Sequence, residues 1–162
     1  MLKMKFCDQK VYAIREYAEV IPLNSCIALT LTMKQKVQGK RLDKISAPCQ
    51  FRCFKNRLDK YYYKNAAARY NKRLGCFPVL EESITSRIHY HVILEKPGNV
   101  DHFNFEKIIV SCWKMVDYSY DQHKYVGSIN SGWTDYCLKS SQAAENMDWQ
   151  NVHIPHRWKL AE

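Results

Sequence analysis

From Ile88 to Leu94 two histidines are set at alternate positions inside an apolar run. Ile88, Tyr90, Val92 and Leu94 fall on one parity; His89, His91 and Ile93 fall on the other. An extended strand sends successive side chains to opposite faces, whereas a helix would scatter both sets around its circumference. The segment is therefore read as a strand with one core-facing surface and two imidazoles side by side on the other. Two neutral imidazoles at this spacing can grip one divalent metal ion. A hydrogen-bonded structural pair is the alternative.

The neighbouring segments have their own periods. Ile27, Leu29, Leu31 and Met33 alternate with Ala28, Thr30 and Thr32, which predicts a strand over 25–33 with one apolar and one small-polar face. A loop around Gln38-Gly39-Lys40 leads into a helical pattern over about 48–74. There Phe51, Phe54, Leu58, Tyr62 and Ala66 recur every three or four residues, and Gly75 supplies the stop. Cys76–Glu81 reads as a short strand that turns through 83–86 into the histidine strand as an antiparallel hairpin. Phe105, Ile108, Ile109, Cys112, Trp113 and Val116 make an amphipathic helix. Residues 123–129 read as a strand, 132–142 as a helix, and about 8–19 as a short helix ahead of Pro22. The order β, α, β, β, α, β, α implies an α+β fold, a central antiparallel sheet of about four or five strands with helices packed on one face. The other sheet face, with Ala28, Thr30, Thr32, His89 and His91, is expected to be too polar for a second core. We divide the chain into an N-terminal extension (1–20), a main domain (21–142) and a docked tail (143–162).

Charge narrows the partner. The 162 residues carry a formal charge of +9. Between Ala47 and Leu74 lie Arg52, Lys55, Arg57, Lys60, Lys64, Arg69, Lys72 and Arg73, against the single acid Asp59. A stripe of this kind suits nucleic acid, because each neutralised phosphate releases a counterion. Arg52, Lys55, Arg57, Lys60 and Lys64 are the expected phosphate ligands, and Tyr61–Tyr63 or Trp133 could stack on bases. No apolar run reaches the length of a membrane span, and the Lys-containing N-terminus has no signal-peptide core. The seven cysteines are scattered, and Cys49 and Cys53 lack the spacing of a zinc knuckle, so they read as reduced thiols.

A metal would need a third ligand beside His89 and His91. Glu81 and Glu82 end the preceding strand, and the hairpin folds that end toward the histidines; Glu81 is preferred. Two imidazoles and a carboxylate suit Mn²⁺ or Mg²⁺. His102, His123, His153 and His156 are read as structural or surface residues. Further on, Tyr136 and Lys139 lie three apart on a predicted helix and so share a face.

Taken in order, Thr30-Leu31-Thr32 on a first strand, His89-Tyr90-His91 on a later one and Tyr136-x-x-Lys139 on a late helix resemble the HUH endonuclease superfamily. The likeness is to the single-tyrosine replication-initiation proteins of small plasmids and single-stranded DNA phages and viruses, and it covers about residues 21–142. The resemblance implies an RRM-like sheet. It implies that His89, His91 and Glu81 hold the divalent metal, that Thr30 and Thr32 belong to the DNA-binding motif, and that Tyr136 is the nucleophile forming a 5′-phosphotyrosine. Lys139 would stabilise the phosphate or phenolate. Position 140 is Ser, which matches a single-nucleophile cycle. The implied partner is single-stranded DNA at a replication-origin hairpin. A separate helicase would be needed, since the chain has no P-loop. A cytoplasmic monomer in a prokaryotic cell or virus-infected host is expected. Two alternatives remain: a single-tyrosine transposase, against which the long basic insertion argues, and a non-catalytic nucleic-acid-binding domain. RNA-binding sheets carry aromatics where this chain places Thr30, Thr32 and histidines.

Overall fold

The computed structural model of the protein describes residues 12, 19–82, 87–126, 129, 132–133 and 143–158. Its central sheet has four strands: β1 (Cys26–Met33), β4 (Cys76–Glu81), β5 (His89–Glu95) and β6 (Ser119–Val126). They lie in the order β4-β5-β1-β6, and each neighbouring pair is antiparallel. A separate hairpin pairs β2 (Lys36–Val37) with β3 (Lys40–Arg41), where the sequence suggested only a loop. Its turn places Gln38 and Gly39 both at positive φ, 46° and 82°, as a tight two-residue hairpin turn requires.

The helices α1 (Ala47–Tyr63) and α3 (His102–Lys114) pack on one face of the sheet. From α1 come Phe51, Phe54 and Leu58; from α3 come Phe105, Ile109, Cys112 and Trp113. They meet Ile27, Leu29, Leu31 and Met33 of β1 and Tyr90, Val92 and Leu94 of β5. Phe51 stacks on Tyr90 at 4.5 Å, and Phe54 meets Trp113 edge-on at 5.6 Å. Each such side chain stabilises the fold by about 1.5–3 kcal/mol when fully buried. Asp101 caps α3 by accepting from the Asn104 backbone N–H at 3.0 Å.

The single helix expected over 48–74 is interrupted. α1 ends at Tyr63, Lys64 takes φ 49°, and only a short α2 (Asn65–Arg69) follows. The buried carboxylate of Asp59 accounts for the reversal. It accepts from Lys55 Nζ at 2.6 Å, from Arg73 at 3.2 Å and from the Leu74 backbone N–H at 2.9 Å, drawing the chain back along α1. β6 also starts earlier than the strand expected over 123–129. Met33 pairs with Ser119 past an irregularity in β1, and the polar start of this edge strand hid it from an apolar pattern.

The second face of the sheet corrects a further expectation. Only part of it is polar. Across β1, β5 and β4, Ala28, Ile93 and Phe77 form one row, Thr30, His91 and Val79 the next, and Thr32, His89 and Glu81 the last. At the apolar end Cys26, Phe77, Val79 and Ile93 are buried with Ile21, Met147 and Trp158 in a second, smaller core. The C-terminal segment supplies this cover by running along β4, with bridges Cys76–His153 and Val79–Met147. Pro78, which cannot donate to a ladder, is tolerated because β4 is the edge of the main sheet; its carbonyl accepts from the Asp148 N–H at 3.2 Å. α4 (Ala143–Asn146) leads into this segment. Among the described residues Cys26, Cys49, Cys53, Cys76 and Cys112 are free thiols. The expected helix over 8–19 lies outside the described residues except at 12 and 19. The expected turn over 83–86 lies outside them, as does most of the helix over 132–142.

The C-terminal cover leaves no room at Gly75. A Cβ there would sit 2.0 Å from the Trp158 ring, which is itself 3% exposed. Gly75→Ala is expected to cost about 1–3 kcal/mol of stability by overpacking, measured as a lower urea midpoint with an unchanged slope.

Candidate metal centre

β5 is an inner strand, so its register with both neighbours places the histidines. His89 stands opposite Thr32 and Glu81, and His91 opposite Thr30 and Val79. The polar end of this second face thus gathers Glu81, His89 and His91, whose ligand atoms all lie within 4.8 Å of one another. Glu81 Oε2 is 3.0 Å from His91 Nε2 and 3.6 Å from His89 Nε2. The two imidazole planes are nearly perpendicular, with centroids 4.8 Å apart. Glu82, the alternative carboxylate, instead faces Lys44 at 3.8 Å.

The outer ring nitrogens define what the inner ones can do. His89 Nδ1 lies 2.6 Å from the Arg87 carbonyl oxygen. A carbonyl only accepts, so Nδ1 carries the proton, and in the neutral ring Nε2 presents a lone pair toward Glu81. His91 Nδ1 lies 3.2 Å from Thr30 Oγ1, while its Nε2 faces the Glu81 carboxylate. A hydroxyl can donate or accept. It can therefore support His91 with the proton on Nε2, directed at Glu81, or with the proton on Nδ1 and Nε2 free to ligate. One carboxylate and two imidazoles, each imidazole oriented by a second partner, fit a divalent metal ion. His91 is buried, and the Trp133 ring packs edge-on against it at 5.9 Å. That contact makes Trp133 a wall of the site.

Tyr90, between the two histidines, does different work. It faces the helices and donates to Asp148 Oδ2 at 2.9 Å. Burial, and then the Asp148 charge, push its phenol far above the ordinary tyrosine range, so it stays protonated and is no nucleophile. Asn151 Nδ2 donates to the same Asp148 oxygen and to the Pro48 carbonyl, tying the C-terminal segment to the start of α1. Nothing in the local pattern around Asp148 or Asn151 marks them; only their place beside the Tyr90 hydroxyl does.

The basic residues are not at this centre. They lie on and after α1, which packs on the opposite face of the sheet. Lys55 was expected to hold phosphate, but its side chain is 5% exposed and bound to Asp59 through both carboxylate oxygens. It serves as a buried structural cation instead. Lys60 and Lys64 are exposed, with Lys64 Nζ 5.0 Å over the Tyr61 ring. Arg57 is half-buried and donates to the Cys53 carbonyl, and Arg52 donates to Gln150 Oε1 at 2.6 Å. Tyr62 and Tyr63 pack against the main core, leaving Tyr61 the exposed member of the three. Thr30 and Thr32 are half-buried on the histidine face. Tyr136 and Lys139 lie outside the described residues.

With this arrangement in view, the chain can be compared with known proteins. The family model described as replication-associated protein ORF2 matches residues 26–153, from the start of β1 to the segment that pairs with β4. The match spans well over half of the chain, and the protein belongs to this family of replication-associated proteins. Membership supports a role in replication initiation, with DNA as the partner. Neither curated proteins nor solved structures gave a significant match. No described helix is long and apolar enough to cross a membrane.

For a divalent ion held by this trio, Thr30→Val removes the hydroxyl at nearly constant shape. Mn²⁺ affinity is expected to fall about 10- to 100-fold, the usual loss on removing an orienting partner, while the melting temperature stays near wild type. Titration calorimetry measures it, and unchanged Mn²⁺ affinity would remove Thr30 from the site.

Proposed function

We propose that this protein is a metal-dependent, strand-specific endonuclease that nicks and rejoins single-stranded DNA to initiate rolling-circle replication. The observation that carries the proposal is the Glu81, His89 and His91 trio on the sheet face away from the two long helices of a replication-associated protein. A structural histidine pair would not need a carboxylate within reach of both rings, nor a Thr30 hydroxyl that can support either His91 tautomer.

Glu81, His89 and His91 would hold Mn²⁺ or Mg²⁺. When bound, the ion polarises the scissile phosphodiester and stabilises the charge that develops on its oxygens. Tyr136 is the proposed nucleophile. Its Oη forms a bond to phosphorus in line with the 3′ oxygen, the P–O3′ bond breaks, and the phenol proton ends on the departing 3′-hydroxyl. The strand is left as a 5′-phosphotyrosine and a free 3′-hydroxyl able to prime synthesis. Because the phosphotyrosine conserves the bond energy, a later 3′-hydroxyl attacks it and reseals the strand. Lys139, three residues beyond Tyr136, stabilises the phenolate or the phosphate. Thr30 and Thr32 flank the trio on the same face and border the path of the strand. A helicase supplied separately would open the origin.

The test uses the full chain, Mn²⁺ and single-stranded oligonucleotides covering the replicon origin in both polarities. The wild type is expected to give a species shifted on a denaturing gel, from one strand only. Tyr136→Phe is expected to lower its yield at least about 100-fold, since it removes the only proposed nucleophile. An adduct that persists in Tyr136→Phe assigns the nucleophile elsewhere. Absence of an adduct from every origin strand would favour a binding domain.

A further inference from the structure

A cavity of about 310 Å³ opens where α1, the segment 70–75 and the C-terminal segment converge. Its wall includes Arg52 and Asn56 from α1, Asn71 and Arg73 from the returning segment, and Gln150 and His153 from the C-terminal segment. Among the described residues no acid lines it; the nearby Asp59 carboxylate is fully buried behind Lys55 and Arg73.

The hydrogen bonds leave this cavity rich in donors. Arg52 donates to the amide oxygens of Gln150 and Asn151, neutral partners that do not cancel its charge. Arg73 donates to the amide oxygens of Asn71 and Asn56. With those oxygens engaged, the amide NH₂ groups of Asn56, Asn71 and Gln150 remain as donors. The nearby Asp59 carboxylate is shared by Lys55 and Arg73, so with Arg52 the cavity keeps an excess of positive charge. Together with several amide donors this suits an oxyanion. The His153 imidazole reports the same field: burial first, then the Lys55 charge, hold its pKa below the usual histidine value, so it sits neutral beside the cations.

Two aromatic side chains flank the cavity in sequence. Trp149 precedes Gln150 and is 53% exposed; Tyr70 precedes Asn71 and is 78% exposed. Cationic grooves with exposed aromatics are how proteins hold single strands, phosphates in the groove and bases on the rings. The cavity borders the Cys76 end of β4, where His153 pairs, whereas Glu81 ends the same strand. That is roughly 16 Å along the strand, a reach of a few nucleotides.

We infer that this cavity is a backbone-phosphate subsite for single-stranded DNA, with Trp149 and Tyr70 as base-stacking platforms. The inference rests on DNA being the partner and deepens the proposed function. It places the strand over the β4 edge, between the metal face and the basic face of α1.

The test measures binding of the full chain to a labelled origin oligonucleotide in EDTA, so that no nicking is required. Gln150→Glu is isosteric and sets a carboxylate beside Arg52. It is expected to weaken single-strand binding about tenfold and to lower the log Kd against log salt slope by about 0.7, one phosphate. Trp149→Ala is expected to weaken single-strand binding about fivefold or more, and duplex binding less. Gln38→Glu in the β2–β3 turn makes the same charge change away from the cavity and is expected to have little effect. Melting curves check that each variant is folded. If Gln150→Glu and Trp149→Ala bind like Gln38→Glu, the subsite is overturned. If Trp149→Ala weakens duplex and single strand equally, the stacking role is overturned. If inorganic phosphate raises the melting temperature of the wild type but not of Gln150→Glu, while DNA affinity is unchanged, the cavity belongs to a free anion and the DNA assignment fails. An adduct-forming protein without these shifts loses only the subsite. These shifts in a protein that forms no adduct leave the subsite standing and remove the nuclease reading.

Discussion

The register between β1 and β5 is the constraint on which the rest of this protein depends. Thr30 opposite His91 and Thr32 opposite His89 put the polar members of both strands on one face and the apolar members on the other. A slip of one residue would invert a strand. It would drive both imidazoles into Phe51, Phe54 and Trp113, and turn Tyr90, Val92 and Leu94 away from the main core. The same apolar burial that stabilises the sheet therefore fixes the donor atoms of the candidate centre. Stability and site geometry are one problem in this fold.

A second constraint comes from buried charge. Asp59 binds Lys55, Arg73 and the Leu74 backbone, and Glu95 binds the Gly75 N–H and Arg157. These contacts reverse the chain after α1 and hold the C-terminal segment against β4. Lys55 and Asp59 are both almost fully buried, so removing Asp59 alone leaves an uncompensated charge in the interior, a cost of about 3–5 kcal/mol. Arg157 is partly exposed, and solvent screens its pair with Glu95. Arg73 serves both the buried charge and the cavity wall. It neutralises Asp59 on one side and faces the cavity on the other.

Two groups of residues lie on opposite sides of one sheet. The Glu81, His89 and His91 trio sits on the face away from the helices, and the basic residues sit on and after α1. A strand that uses both must cross an edge. β4 is the edge at which the C-terminal segment, α1 and the returning segment meet, and Trp149, Arg52 and Arg73 are gathered there. In the subsite we infer, the C-terminal segment takes part in recognition as well as covering the second core.

Much of the architecture is legible in the sequence. The alternation over 88–94 and 27–33 and the period of 105–116 specify two inner strands, a helix and the faces they bury, because each pattern is local. Glu81 is within reach because a hairpin returns its first strand to its second. What cannot be read there is non-local. Lys55 looks like one more cation in a stripe until Asp59 is seen to hold it in the interior, and the helix is expected to run to Gly75 because the pull of Asp59 on Leu74 leaves no local signal. The polar start of β6 is hidden because an edge strand needs little apolar pattern. The second core escapes the sequence because its cover arrives from residues 147–158, some seventy positions beyond β4 in the chain. Side-chain parity belongs to the sequence alone, and it tells which residues share a face. Which face is covered, which charge is paired and which amide turns its donors outward depend on segments far apart in the chain, and only their packing together settles them.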